Sequence, residues 1–180
     1  MWLHALSLRG QDLFEHSQEV AELSLALAEE MNLSPEEKEE VALVALLHDL
    51  GKLAIPDRIL QKEGSLSSEE LDLIREHPTI GANMVAQSPE LEPVAEAIRA
   101  EHERWDGNGY PNQLSGEAIP LSSRIVAVCD AYSAIRQRRS YDGEHSHEEA
   151  ITKLLEGRDT QFDPDVLKVF LRVYDKTLAV

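Results

Sequence analysis

The sequence predicts an all-α domain, and two observations carry that prediction. Aromatic residues make up only 5% of the 180 residues, whereas leucine, alanine and glutamate are abundant, and this composition favours helices over sheets. Helix start signals also recur. The clearest is Ser34-Pro35-Glu36-Glu37, which combines an N-cap serine, a proline at the first helical position and a capping-box glutamate. A chain of this length is expected to fold as a single domain, residues 1–180, with no separate sensory domain.

The helices follow in order from such signals and from apolar periodicity. We predict them over 11–31, 35–50, 67–76, 78–87, 90–103, 120–136, 146–156 and 163–176. The first long helix carries an apolar stripe from Leu13 to Leu27 in which His16 occupies a matching position. The second contains seven consecutive apolar residues, 41–47, and is expected to be buried all round. Further starts come from serine or aspartate caps at 67, 88, 146 and 163, and the Gly- and Pro-rich stretch 104–119 predicts an irregular loop.

Charge and cysteine content narrow the class of protein. The formal net charge of −17 argues against binding to nucleic acid polymers or anionic membranes. The single cysteine, Cys129, rules out an intramolecular disulfide and fits a reducing compartment. The sequence also shows no signal-peptide pattern and no apolar run long enough for a membrane span. We therefore expect a soluble, cytoplasmic domain.

The apolar run 41–47 leads directly into His48 and Asp49. A histidine and a carboxylate at a buried helix end are costly to desolvate unless something pairs with them, and a divalent cation is the usual solution. Other candidate ligands also follow or interrupt apolar helical stripes. The full set is His16, His48, Asp49, His77, His102 and Asp130. One such histidine alone would more often be a core residue, but six residues sharing the pattern predict a metal centre.

Imidazole and carboxylate ligands without cysteine suit Fe, Mn, Zn or Ni. Six or more ligands exceed what one tetrahedral ion can use, so two ions bridged by Asp49 are expected. Paired ions lower the pKa of a bridging water and stabilise both oxygens of an in-line phosphoryl displacement.

The same residues resemble the HD-GYP family, over about residues 12–170. The matching motifs are His16, Leu47-His48-Asp49-Leu50-Gly51-Lys52, His77-Pro78, the stretch from Glu101 to Pro111 and Arg124 to Asp130. The Asp-Gly-x-Gly-Tyr-Pro loop makes the resemblance specific, because a His-Asp pair alone would indicate only the broader HD superfamily.

The resemblance implies a compact multi-helix HD-domain bundle around a buried binuclear, sometimes trinuclear, metal site, with Fe or Mn as the metal. It also implies hydrolysis of cyclic di-GMP to linear pGpG, GMP or both, by attack of a metal-bridging hydroxide on phosphorus. The implied metal ligands are His16, His48, Asp49, His77, Glu101, His102 and Asp130, with Asp12 as a candidate for a third ion. Asp49 and Lys52 would be catalytic, although Lys52 could instead cap the helix end. The implied substrate-binding residues are Asp106, Gly109, Tyr110, Pro111 and Arg139.

Three departures from the family pattern stand in this sequence. Glu101 occupies the place of a histidine, Ser133 that of an aspartate, and Asp142 that of a basic residue after Arg139. Two other functions therefore stay open. One is an HD phosphohydrolase for another nucleotide, and the other is a degenerate module that binds a cyclic dinucleotide or a protein partner with little catalysis. Regulation by a protein partner or through a homodimer is compatible with each.

Overall fold

Helices account for nearly all regular structure in residues 2–137 and 147–174, the part of the chain that the computed structural model describes. The α-helices are α1 (Trp2–Arg9), α2 (Gln11–Glu30), α3 (Pro35–Leu47), α4 (Asp57–Leu60), α5 (Ser68–Arg75), α6 (His77–Val85), α7 (Ala95–Arg99), α8 (Leu121–Gln137), α9 (His147–Glu156) and α10 (Pro164–Tyr174). Short 3₁₀ helices span His48–Ala54, Glu92–Val94 and Gly116–Ala118. These two ranges contain no β-strand, so the all-α prediction is confirmed.

The start signals act as the sequence predicts. Ser34 Oγ accepts a hydrogen bond from the backbone N–H of Glu37 at 3.2 Å, and the Glu37 carboxylate accepts one from the Ser34 N–H at 2.8 Å. Ser67 and Glu70 repeat this capping box at the start of α5. Asp163 begins α10 by accepting the backbone N–H groups two and three residues later. Each cap satisfies donors that a helix start otherwise leaves free.

Two predicted helices are wrong in extent. The helix predicted over 35–50 ends at Leu47, and His48 begins a 3₁₀ helix instead. The helix predicted over 90–103 is reduced to a 3₁₀ turn and the five-residue α7, which ends at Arg99. The chain turns there because the carbonyl of His102 accepts a hydrogen bond from the Tyr110 N–H of the following loop, at 3.2 Å. Glu101 and His102 therefore lie in a turn, not on a helix face.

Smaller differences concern elements that lacked a strong pattern. Helices α1 and α4 were not predicted, and the cap expected at 88 begins no helix, since the chain turns over 88–91. The cap expected at 146 lies outside the described ranges, although α9 begins at the next residue, His147. The loop predicted over 104–119 is confirmed, with one 3₁₀ turn near its end. Within the described ranges, no helix combines the length and the apolar character that crossing a bilayer requires.

Helix α2 lies at the middle of the fold, packed against α3 and α8, and α6 packs against α7 and the 3₁₀ helix that follows α3. The run 41–47 is less enclosed than predicted, because four of its residues are buried and three are half-buried. This arrangement brings the ends of several elements to one place. His16 on α2, Asp130 on α8 and His77 at the start of α6 all point toward the segment that carries His48.

The 3₁₀ helix and α6 approach each other through glycine. A Cβ added at Gly51 would lie 1.9 Å from the carbonyl oxygen of His77 and 2.7 Å from the amide nitrogen of Gly81. No other residue fits such a backbone contact without separating the two segments. The glycine that follows the His-Asp pair therefore sets how closely Asp49 approaches His77.

Candidate metal centre

The structure brings the seven implied ligands together in two adjoining groups. The first contains His16, His48 and Asp49, the second contains His77, Glu101 and His102, and within each group the ligand atoms lie within 4.8 Å of one another. Asp130 joins the first group, with Oδ1 at 2.9 Å from His16 Nε2 and 3.9 Å from His48 Nε2.

Asp49 lies between the two groups. Its Oδ2 is 3.5 Å from His48 Nε2, and its Oδ1 is 3.6 Å from His77 Nε2. A carboxylate with one oxygen near each group has the arrangement that a bridging ligand requires.

Backbone carbonyls orient two of the imidazoles. The Nδ1 atom of His48 lies 2.7 Å from the carbonyl oxygen of Ala45, and that of His77 lies 2.6 Å from the carbonyl oxygen of Ile74. Since a carbonyl only accepts, each Nδ1 donates, and the Nε2 atom is left to face the centre with its lone pair. Metal-bound histidines are held in this way by a partner on the second ring nitrogen.

Several buried polar atoms at the centre have no hydrogen-bond partner. These atoms are His48 Nε2 and both carboxylate oxygens of Glu101, although Glu101 Oε1 is 3.2 Å from His77 Nε2. Unpaired buried groups of this kind cost free energy, and carboxylates cost most. The centre also holds three carboxylates, Asp49, Glu101 and Asp130, close to the single ammonium of Lys52. Both the unpaired atoms and the excess negative charge fit a site for divalent cations.

The electrostatics favour the metal-binding forms of Asp49 and His102, whereas neighbouring carboxylates outweigh burial and raise the pKa of His48 and of His77. Burial alone would raise the pKa of Asp49, but His48 and Lys52 hold it well below its usual range, so the carboxylate is ionised. Burial lowers the pKa of His102, which leaves its imidazole in the neutral form that binds metals. For Lys52, burial works against the charge, but the Asp49 carboxylate outweighs it and raises the pKa.

Lys52 Nζ lies 2.7 Å from the Asp49 carboxylate. This contact, and not a helix-end carbonyl, is the interaction observed for its ammonium group. The side chain keeps 29% of its surface exposed, whereas that of Asp49 keeps 2%. Lys52 therefore links the buried centre to the solvent side.

A cavity of about 290 Å³ opens beside the second group. Its lining includes ligands and loop residues: Arg75, Glu101, His102, Glu103, Arg104, Asn108, Gly109, Tyr110, Ala127, Asp130 and Gln161. The Tyr110 ring stacks on His102 with ring centres 5.0 Å apart. A Cβ on Gly109 would lie 2.4 Å from the backbone nitrogen of Arg104, so the loop can fold back on the ligand turn only with glycine there.

The other substrate-side predictions lie apart from this lining. Asp106 accepts two hydrogen bonds from the Arg104 guanidinium, at 3.1 and 2.8 Å, and the guanidinium lowers its pKa. Pro111 is exposed, and so is Asp12, which belongs to neither ligand group. Arg139 lies outside the described residues, as does position 142.

Glu103 anchors the loop, a role that the sequence reasoning missed. Its buried carboxylate accepts the backbone N–H groups of Asn112 at 2.7 Å and Leu114 at 3.0 Å. It follows the ligand His102 by one residue, so it fixes the loop directly to the ligand turn. Arg75 was missed as well, although its guanidinium lies over the Tyr110 ring at 5.9 Å. No periodic pattern marks either residue.

Comparison with known proteins identifies the fold and its relatives. The HD domain family model matches residues 2–166. A cyclic di-GMP phosphodiesterase from Thermotoga maritima is 40% identical over 92% of this chain, which covers 45% of that protein. A 3′3′-cGAMP-specific phosphodiesterase 2 from Vibrio cholerae is 35% identical over 98% of the chain and 34% of that protein.

A solved structure, the cyclic GMP-AMP-specific phosphodiesterase V-cGAP3 of V. cholerae, superposes with a TM-score of 0.70 at 23% identity. The match covers 90% of this chain and 44% of that one. The chain therefore spans less than half the length of these relatives. The extent of the family match, together with the identity to the curated relatives, shows that the chain belongs to the HD domain family, within the HD-GYP group that its motifs predict.

Proposed function

We propose that this chain is a phosphodiesterase that depends on divalent metal ions and hydrolyses cyclic di-GMP to linear pGpG, GMP or both. The observation that carries the proposal is the pair of buried ligand groups, with unpaired His48 and Glu101 atoms, beside a cavity of about 290 Å³. The T. maritima relative, named for the same activity, supports the choice of substrate.

In this proposal the two ligand groups and Asp49 would hold two divalent ions, Fe or Mn. His16, His48 and Asp130 would hold one, and His77, Glu101 and His102 the other. When bound, paired divalent ions supply Lewis acidity and a nucleophilic water at neutral pH. A third ion would need Asp12, whose carboxylate would have to turn inward from its exposed position at the start of α2.

The remaining residues act on the substrate. The Lys52 ammonium would bind a phosphoryl oxygen or protonate the leaving 3′-oxygen, because it is the cation nearest the ligands among the described residues. Gly109 and Tyr110 would form the cavity wall beside the second ligand group. Arg75 at the rim supplies positive charge for an anionic dinucleotide in a strongly acidic chain. Arg139, Asp106 and Pro111 complete the predicted substrate side.

The test is anaerobic loading with Fe(II) or Mn(II), followed by elemental analysis and by chromatography of cyclic di-GMP reactions. We expect stoichiometric metal and the products pGpG or GMP. Asp49→Ala should lose metal and turnover together. If Asp49→Ala, free of metal, still hydrolysed the dinucleotide at the wild-type rate, the proposal would be refuted.

One relative favours a second substrate. Because the V. cholerae relative is named for 3′3′-cGAMP, the same assay should include 3′3′-cGAMP and cyclic di-AMP as competitors. Faster hydrolysis of either of these than of cyclic di-GMP would show that the enzyme's substrate is another cyclic dinucleotide.

Glu101 bears on the remaining alternative, a degenerate binding module. Its buried carboxylate within 3.2 Å of His77 supports retention of a ligand, and carboxylates bind the same metals as imidazole. Glu101→His tests whether this departure tunes the centre. Tight binding of cyclic di-GMP by calorimetry, without product from wild type or variant under matched metal, would favour the degenerate module. A cytoplasmic location and regulation through a protein partner or a homodimer belong to the same proposal.

A further inference from the structure

We propose that Ser133 and Glu19 form a positioning relay that fixes the ring of His16 for metal binding. The relay would replace the aspartate that the family pattern has at position 133. This inference rests on the metal centre of the proposed function. It assigns to two residues outside the ligand set the task of holding one ligand in a single orientation.

The relay crosses between helices α2 and α8. The Nδ1 atom of His16 lies 3.0 Å from Ser133 Oγ, and Ser133 Oγ donates to Glu19 Oε2 at 2.8 Å. Gln137 Nε2 also donates to Glu19 Oε2, at 2.9 Å, and lies 3.3 Å from Ser133 Oγ. His16 and Glu19 are one turn apart on α2, as Asp130 and Ser133 are on α8, so the packing of the two helices brings the partners together.

The Glu19 carboxylate fixes the hydrogen-bond direction at Ser133. A carboxylate at neutral pH only accepts, so the Ser133 hydroxyl must give its single hydrogen to Glu19. The hydroxyl oxygen can then only accept from His16, which places a hydrogen on Nδ1. The other ring nitrogen, Nε2, lies 2.9 Å from Asp130 Oδ1, so these two atoms are placed to bind one ion, to which Nε2 would present its lone pair. Without Glu19, the hydroxyl could rotate and donate to Nδ1, which would put the hydrogen on Nε2 instead.

Burial makes this arrangement specific. Ser133 is fully buried and His16 is 9% exposed, so water does not compete readily for either side chain. A serine alone is a neutral partner and a weaker one than a carboxylate. The Glu19 carboxylate accepts from the Ser133 hydroxyl and so supplies a negative charge one hydrogen bond away from His16. The serine and the glutamate together then resemble one aspartate in their effect on the ring. The substitution at 133 is thus compensated from the neighbouring helix.

The test compares Mn(II) binding to purified apoprotein, with free Mn(II) measured by electron paramagnetic resonance. Loss of a hydrogen-bond partner of a metal-bound histidine typically weakens affinity by about 10–100-fold, and we expect that range for Ser133→Ala. The matched control is Ser122→Ala, since Ser122 is also buried on α8 and donates to a carboxylate, Glu40, at 2.6 Å. The control should bind Mn(II) like wild type, with a melting temperature similar to that of Ser133→Ala.

Two further variants test the relay even if Ser133→Ala folds poorly. Glu19→Ala leaves the serine in place and should weaken Mn(II) binding on its own. Ser133→Asp in the Glu19→Ala background should restore affinity, because a carboxylate then accepts directly from His16. Nuclear magnetic resonance of ¹⁵N-histidine in the Zn(II)-loaded protein should show a protected Nδ1–H for His16 in wild type and not in Ser133→Ala.

The outcomes distinguish a failure of the relay from a failure of the metal centre. If wild type showed no saturable Mn(II) binding, the metal centre itself would be wrong. If wild type bound Mn(II) and Ser133→Ala and Ser122→Ala both matched it, the relay alone would be refuted. Failure of the double variant to recover affinity would also count against the relay.

Discussion

Replacing Gly51 by alanine should disrupt the candidate centre strongly for so small a change. The added Cβ would lie 1.9 Å from the His77 carbonyl oxygen and 2.7 Å from the Gly81 nitrogen, and both obstacles are backbone atoms. An ordinary contact would require the 3₁₀ helix and α6 to separate by more than about 1 Å. The first segment carries His48 and Asp49, and the second begins with His77.

The structure allows the size of this effect to be worked out. Overpacking of a filled interior costs about 1–3 kcal/mol. We expect the upper end, because backbone cannot rotate away as a side chain can. The separation would also widen the 3.6 Å gap between Asp49 Oδ1 and His77 Nε2, across which the proposed bridge is formed. A misplacement of about 1 Å can cost 10²-fold in rate, so turnover should fall at least that far.

The assay combines urea unfolding, Mn(II) affinity and turnover in three glycine variants. Gly81→Ala places its Cβ 3.1 Å from the Gly51 nitrogen, a contact that a small shift relieves, and alanine gains about 1 kcal/mol of helix propensity. It should remain within about 1 kcal/mol of wild type. Gly10→Ala meets nothing within 4 Å and should lose less than about 1 kcal/mol at the helix cap, with metal binding unchanged. Wild-type Mn(II) affinity and stability in Gly51→Ala would refute the reasoning.

Three other outcomes follow from the described contacts. Mn(II) at 100 times its dissociation constant should raise the free energy of unfolding by about 2.7 kcal/mol. The melting temperature should then rise by about 5–10 °C, and EDTA should reverse the rise. An unchanged melting temperature would contradict the metal centre. Glu103→Gln should lose about 2–3 kcal/mol in urea unfolding and raise KM, because the two N–H groups that it holds each lose a charged acceptor; unchanged stability would show that the loop is held otherwise. Burial raises the pKa of the Cys129 thiol from 9.0 to about 12. The folded state therefore retains a proton that the unfolded state loses above pH 9, stability should fall as pH rises from 9 toward 12, and Cys129→Ala should decline less steeply over that interval.

The candidate ligands lie close together, as the sequence predicted, because most of them carry two signals at once. His16 and Asp130 interrupt apolar stripes, so periodicity placed them inward, and the HD-GYP motifs assigned them the same role. The starts of helices with strong caps, such as those at Ser34 and Ser67, were also predicted to within one residue.

Local sequence patterns gave the wrong secondary structure where tertiary contacts determine the backbone conformation. Glu101 and His102 were predicted on a helix face but lie in a turn, since the loop that returns through Tyr110 binds the carbonyl at 102. The short α1 and α4 lacked the periodicity needed for a prediction. The contacts of Ser133 join residues 114 and 117 positions apart, and only the packing of α2 on α8 brings them within hydrogen-bond distance.

The attachment of the Gly109-Tyr110-Pro111 loop through Glu103 has a consequence for how the proposed substrates would be selected. Because that carboxylate accepts the N–H groups of Asn112 and Leu114, just beyond the loop, we expect the loop to act as a fixed wall and not as a lid. Selection among nucleotides should then be expressed mainly as differences in binding to a preformed opening, with little contribution from closure. Changing specificity by exchanging loop residues should therefore also alter metal affinity, since wall and ligands share one short stretch of backbone.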